Sequence, residues 1–184
     1  MSRPTHILRH EHRVIEQALR ALDGICLNLK TGDVVPPEAL GQLLDFARNF
    51  ADRFHHNKEE KYLFPALSPN VLPKDGDALK FLMEEHRTER RLIAELELAI
   101  GEYCYGDSAA ADRIIEAANS YRDHLVGHMR EEEAILFRLA EEVLDETVKT
   151  ALIHSFAQED AQGNNGITAK YEQMADELEK NWAV

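Results

Sequence analysis

Cysteine is nearly absent from this chain. The two present, Cys26 and Cys104, form no Cys-x-x-Cys pair and no disulfide framework, so thiolate ligation and a disulfide-held fold are both excluded. Both read as core or near-core thiols. Long apolar runs are missing too: none approaches the roughly 18 residues of a membrane helix, and no membrane partner is expected. Positive charge is scarce, with 21 Lys and Arg against 34 Asp and Glu, a net charge of −13 and a pI of about 5.1. The basic residues are scattered and trace no phosphate-tracking face, which argues against nucleic acid. The opening Met1-Ser2-Arg3-Pro4-Thr5-His6 lacks an apolar h-region, so it reads as no signal peptide and the protein as cytoplasmic. Sustained period-2 alternation is missing, and with it any expected strand. What remains is 44% apolar and 30% charged, a globular composition with a chain length that suits one domain over 1–184.

The sparse prolines and glycines divide the chain into helices. The first is expected from a Thr5 cap to about Lys30, with Gly32 just past its end. Pro36-Pro37 open a second that stops near Leu63-Phe64-Pro65. A loop covers Ser68-Pro69-Asn70 to Asp75-Gly76, and a third helix runs from about Asp77 to Gly106. The fourth spans about Ser108 to Glu141, a shorter fifth follows, Gly163-Asn164-Asn165-Gly166 breaks the chain, and a sixth covers Ile167 to Trp182. Alternating steps of three and four mark an inward stripe on each long helix. In the first it is Leu8, His12, Ile15, Leu19, Leu22, Cys26 and Leu29; in the fourth, Ile114, Ala118, Tyr121, Leu125, His128, Glu132, Ile135 and Leu139. This predicts an all-α, antiparallel up-down-up-down four-helix bundle over about 5–140. Residues 141–184 form a helical extension that covers the bundle or makes a homodimer contact.

Histidine and glutamate occupy stripe positions that should be apolar, and they do so twice. His55-His56-Asn57-Lys58-Glu59-Glu60-Lys61-Tyr62-Leu63-Phe64 aligns without a gap with His128-Met129-Arg130-Glu131-Glu132-Glu133-Ala134-Ile135-Leu136-Phe137, as His-x-x-x-Glu-Glu-x-x-Leu-Phe. Leu8-Arg9-His10-Glu11-His12-Arg13 likewise aligns with Leu82-Met83-Glu84-Glu85-His86-Arg87, as Leu-x-x-Glu-His-Arg. The offsets agree: 128 − 55 and 132 − 59 are 73, and 86 − 12 is 74. The chain is thus two hairpins of one design. Residues four apart share a helix face, so each His-x-x-x-Glu can reach one metal site while the longer carboxylate bridges to a second. Together the hairpins supply four imidazoles and two carboxylates at one depth, a donor set that suits iron, manganese or zinc. Carboxylates and imidazoles buried in duplicate need a charge to neutralise them, and a metal cluster provides it.

The pattern, above all Phe54-His55-His56-Asn57-Lys58-Glu59-Glu60 followed by Leu63-Phe64-Pro65, resembles the hemerythrin-like HHE family of di-iron four-helix bundles over about 5–140. The resemblance implies that His12, His55, Glu59, His86, His128 and Glu132 ligate two irons joined by an oxo or hydroxo bridge, with Zn or Mn as substitutes. It implies a small diatomic ligand or peroxide as partner, and binding or redox handling of O₂, NO or peroxide. A detoxifying or iron–sulfur-repairing di-iron enzyme, and an iron or zinc sensor or store without turnover, are the alternatives. Ferritin-like bundles use Glu-x-x-His instead, and no such pair sits at matching offsets on these stripes. The sequence departs from hemerythrin proper in having four matched histidines rather than five, with Arg90 where that protein's third helix carries its second histidine. His56, His124 and Glu89 are the candidates for the remaining coordination positions. On α-helical phase His56 and His10 flank the stripe and face away, His124 sits at an interhelical edge, and Glu131 and Glu133 belong to a solvated face.

Overall fold

The computed structural model describes residues 3–67, 73–107, 109–161 and 166–183, with helices throughout and no strand among them. Pro4 opens α1 (Pro4–Thr31), where its missing N–H would be unpaired in any residue. Thr5, expected as the cap, lies inside the helix because Pro4 starts it one residue earlier, with Arg3 at the cap position; the Thr5 hydroxyl donates to the Glu141 carboxylate. At the other end Gly32 takes φ 84°, a left-handed cap conformation, and Asp33 N–H closes onto Asn28 C=O at 2.9 Å.

The second rod begins at Pro37 as α2 (Pro37–Asp45), passes through two π-helical segments, π1 (Phe46–His56) and π2 (Glu59–Leu63), and ends as α3 (Phe64–Leu67). It therefore runs past the stop expected at Leu63–Pro65. The third, α4 (Pro73–Cys104), opens earlier than expected, so the backbone of Asp75 and Gly76 is already helical. Ser68–Asn70 lie outside the described residues, as do Ser108 and Gly163–Asn165. The fourth rod is α5 (Ala110–Glu131), π3 (Glu132–Leu136) and α6 (Phe137–Val143). α7 (Glu146–Asp160), capped by Asp145 at 2.8 Å from Val148 N–H, and α8 (Ile167–Trp182) complete the chain.

Packing produces two apolar clusters. The larger holds Leu22, Ile25, Phe50, Phe54, Ile93, Leu96, Leu125 and Met129, together with Tyr171, Ala175 and Leu178 of α8. The smaller holds Leu8, Leu63, Leu82, Leu136 and Phe137, together with Leu152 and Phe156 of α7. On each long rod the switch from one cluster to the other falls across buried histidine or glutamate: His12, His55 with Glu59, His86 with Glu89, and His128 with Glu132. The C-terminal helices spend their apolar faces on the chain's own bundle, so a homodimer contact made by them would use their polar outer faces. No described helix is long and apolar enough to cross a membrane. Cys26 is buried, and burial followed by the Asp23 carboxylate pushes its thiol up to about 11. Cys104 is exposed, contrary to the core reading, because α4 ends there.

Gly24 shows how closely α8 is docked. A Cβ built there would stand 1.6 Å from the Trp182 carbonyl oxygen, which is backbone and cannot swing aside as a side chain does. Gly24→Ala is expected to lower stability by about 1–3 kcal/mol through overpacking, limited by how readily the last turn of α8 lifts away. Thermal melting of G24A, with proteolysis read at α8, checks this; a melt identical to the parent's means that α8 is not held as described.

Candidate metal centre

Five histidines and three glutamates meet in the layer between the two clusters, each no more than 2% exposed. They form two groups whose potential ligand atoms lie within 4.8 Å of one another: His12, His55, Glu59 and Glu132, and His56, Glu59, His86 and His128. All six residues that the spacing singles out are thus brought together. Two imidazole contacts define the groups, His12 Nε2 to His55 Nε2 and His86 Nε2 to His128 Nε2, each at 3.0 Å.

The glutamates lie between the groups. Glu59 places Oε1 3.8 Å from His55 Nε2 and Oε2 3.5 Å from His86 Nε2. Glu132 places Oε2 3.3 Å from His12 Nε2, and Oε1 3.2 Å from His128 Nε2 and 3.7 Å from His86 Nε2. Each carboxylate therefore turns one oxygen toward each group. Each also opens a five-residue π segment at the same place in its half of the chain. Such i→i+5 bulges in α-helices recur at functional sites, where they re-aim side chains.

A second layer fixes the imidazoles. His12 Nδ1–H donates to Glu133 at 3.0 Å, His55 Nδ1–H to Glu11 at 2.9 Å, His86 Nδ1–H to Glu60 at 2.7 Å and His128 Nδ1–H to Glu85 at 2.9 Å. These bonds run from helix to helix around the bundle. Every supporting carboxylate is the sequence neighbour of an inward histidine or glutamate, so the two motifs encode the inner residues and their supports together. With Nδ1–H donating outward, each neutral ring aims its Nε2 lone pair inward, as metal-ligating histidines do. Phe64 stacks on His86 at 5.7 Å and Phe137 on His12 at 5.3 Å, so the Leu-Phe pairs pack the rings in place. Glu133 thus departs from the solvated-face reading: it is only half-exposed and holds His12.

His56 is the larger revision. It is fully buried, stacked 4.0 Å from His86 with 12° between the planes, and belongs to the second group. Its matched position in the other half is Met129, so the halves differ here by an imidazole. Glu89 stands beside it, Oε2 3.2 Å from His56 Nε2 and Oε1 3.9 Å from His124 Nε2. It falls outside both four-residue groups. His124 stays at the interhelical edge, 24% exposed, with Nε2 3.3 Å from the Glu85 carbonyl oxygen. His10 faces outward onto Glu172 of α8. Arg90 pairs with Asp52 and Glu60, both at 2.7 Å, and so braces the carboxylate that holds His86.

Without a cation this layer is poorly satisfied. Every side-chain nitrogen and oxygen of His56, Glu59, Glu89 and Glu132 is buried with no hydrogen-bond partner among the described residues. Groups so placed cost free energy unless they coordinate something. Protonation reflects the same frustration. Burial, then the facing Glu132, pushes the Glu59 carboxyl well above its usual range, and burial raises Glu89 to about 7. For Glu132 burial is outweighed by His128, His12 and His86, which hold it well below the usual range. Burial also opposes charge on His128, yet Glu132 holds it well above 6.5. An imidazole and carboxylate donor set with no thiolate fits iron, manganese or zinc.

Comparison with known proteins agrees. The model of the hemerythrin HHE cation-binding domain matches residues 3–140 and again 77–182. The uncharacterized protein Rv1995 of Mycobacterium tuberculosis is 24% identical over 179 residues, covering 96% of this chain and 69% of its own. Uncharacterized protein Mb2018 of Mycobacterium bovis matches to the same extent. The iron–sulfur cluster repair protein DnrN of Neisseria gonorrhoeae is 28% identical over 136 residues, 72% of this chain and 85% of its own. No solved structure matches the chain.

Proposed function

The chain belongs to the hemerythrin HHE cation-binding domain family, and from that membership and the geometry above we propose that it holds two irons in an up-down-up-down bundle and binds a small ligand at one of them. The observation that carries this reading is the placement of Glu59 and Glu132, each with one oxygen on each histidine group. His12 and His55 would hold one ion, His56, His86 and His128 the other, and both carboxylates would join the two. Bound iron supplies a redox-active Lewis acid able to take O₂, NO or peroxide.

The chain's own residues do the rest. Glu11, Glu60, Glu85 and Glu133 fix ring orientation, and removing such supports costs 10–100-fold in metal affinity. Leu8, Leu63, Leu82 and Leu136, one helical turn from His12, Glu59, His86 and Glu132, wall the layer off from water. The His12–His55 side has one imidazole fewer, so an exchangeable position belongs there. Glu89, raised to about 7 by burial in the metal-free chain, stands beside His56 on the opposite side. Of the three candidates for the remaining coordination positions, this reading takes His56, which adds a third imidazole to the His86–His128 side.

The test is anaerobic loading with Fe(II), an iron count, and azide titration of the oxidised chain. Two irons and one azide per chain are expected, rising to two azides in His56→Ala. A parent binding two azides, unchanged in H56A, removes His56 from the ligand set. A parent binding none favours the sensor or storage reading, with iron or zinc held and not turned over. The relative named for iron–sulfur cluster repair motivates a second reading, in which the loaded chain donates iron to a damaged cluster. Recovery of an iron-depleted cluster protein upon mixing with the Fe(II)-loaded chain, but not with free Fe(II) at equal concentration, would support it.

A further inference from the structure

The two halves of the centre differ in a residue outside the donor set. Lys58 is buried to 1% exposure, although ammonium groups are seldom fully enclosed. Its Nζ pairs with Glu11 Oε1, and the other Glu11 oxygen accepts His55 Nδ1–H at 2.9 Å. The Phe54 ring lies 3.5 Å from Nζ and the Phe156 ring of α7 lies 5.8 Å away, so α7 helps to seal the ammonium from water. Glu11 is itself fully buried. In the other half the equivalent support is Glu85, 13% exposed on His128, and the position matching Lys58 is the exposed Glu131. One ring of the centre is thus tied to a buried ion pair and its counterpart to a carboxylate at the surface.

We propose that Lys58 is a positioning residue that, through Glu11 and His55, makes the His12–His55 side of the centre the side that accepts an anionic ligand. This rests on the di-iron reading above. A carboxylate hydrogen-bonded to Nδ1–H pushes electron density into the ring and makes it a stronger donor. The Lys58 ammonium draws that carboxylate's charge toward itself, so His55 donates less than His128. It also sets a positive charge in the low-dielectric core behind Glu11 and His55, where charge is felt more strongly than in water. Both effects strengthen anion binding and weaken cation binding there. A buried ion pair of this kind adds little net stability over apolar replacements, so its influence is sought at the centre and not in folding.

The experiment uses the full chain loaded with two irons, azide affinity by visible titration, and Fe(II) affinity by competition with a chelator. Lys58→Met is expected to weaken azide binding roughly tenfold or more while tightening Fe(II) binding. Glu11→Gln, which leaves the ammonium unopposed, should move both the opposite way. The double variant E11Q/K58M, with both charges gone, should return azide affinity to near the parental value, and Lys58→Arg should stay there. Since the double variant replaces a buried pair by neutral groups, it and E11Q keep the test open if K58M does not fold. Loss of azide and Fe(II) affinity together in K58M means that Lys58 serves packing alone and overturns the proposal. Unchanged azide affinity in every variant overturns it as well. A parent that takes up fewer than two irons overturns the di-iron reading first, and that failure is visible before any variant is made.

Discussion

Replacing either Glu59 or Glu132 with alanine is expected to abolish binding of both metal ions, not one. Each carboxylate turns an oxygen toward both histidine groups, so its removal takes a ligand and a negative charge from both positions at once. Loss of a supporting residue costs 10–100-fold, so removal of a ligand shared by two ions should exceed about 100-fold. Glu60→Gln and Glu133→Gln are the controls: each keeps its volume, touches one imidazole only, and should weaken binding by about tenfold. The metal-free variants add a second signature. Glu59 is a buried carboxyl with both oxygens unpartnered, and such a group costs about 1–3 kcal/mol. Glu59→Leu should therefore melt higher than the metal-free parent while losing metal. Iron counts with melting curves decide the matter. Parental uptake of two irons in E59A and E132A refutes the carboxylate assignment, and a lower metal-free melt in E59L refutes the frustrated-layer account.

The helices and six inward residues were legible because they repeat. A 3-4 stripe interrupted by polar residues at offsets of 73 and 74 marks both the bundle and the layer in which those residues meet. What escaped was whatever depends on departure from the α-helical period. His56 adjoins His55, and on an ideal α-helix such neighbours diverge. It ends π1, where i→i+5 bonding turns neighbours less far apart, so both rings face inward. A signal was available in the alignment: the matched residue Met129 is apolar and buried, which marks an inward position. Glu133 escaped for another reason, since a charged residue on the rim of a helix reads as solvated until its partner on another helix is known. Lys58 had no signal, because its match Glu131 is exposed and a lone lysine among charges carries no phase. The Thr5 cap failed because Pro4, which suits the first helical position, starts the helix ahead of it.

Metal should stabilise the chain by an amount that grows with pH. In the metal-free layer protons stand in for cations. Burial lowers His55 to about 4, and lowers His56 well below 6.5, assisted by His86 and His128. His128 and His86 are raised against the effect of burial by Glu132, with Glu60 also acting on His86, while Glu59 and Glu89 are raised by burial. A raised histidine contributes stability that is fully present below about pH 6.5 and lost as pH climbs through its folded value. A raised glutamate acts in the same sense: the folded chain keeps a proton that the unfolded chain gives up near 4.5, so Glu89 costs stability increasingly from there to about pH 7. His55, being lowered, works the other way between about pH 4 and 6.5, where the unfolded chain binds the proton first. The opposing slopes meet below pH 6.5; above it only the losses remain, and the metal-free melting temperature should fall toward pH 8. The loaded chain has exchanged those protons for metal and should not follow. Binding itself displaces protons, so apparent affinity should rise about tenfold per pH unit for each proton released. At a hundredfold excess over Kd the loaded fold gains about 2.7 kcal/mol. Paired melts from pH 5.5 to 8, with proton release followed by an indicator dye, test the account. Parallel slopes with and without iron, or loading without proton release, would place the bound metal on the surface and leave the buried layer to its protons.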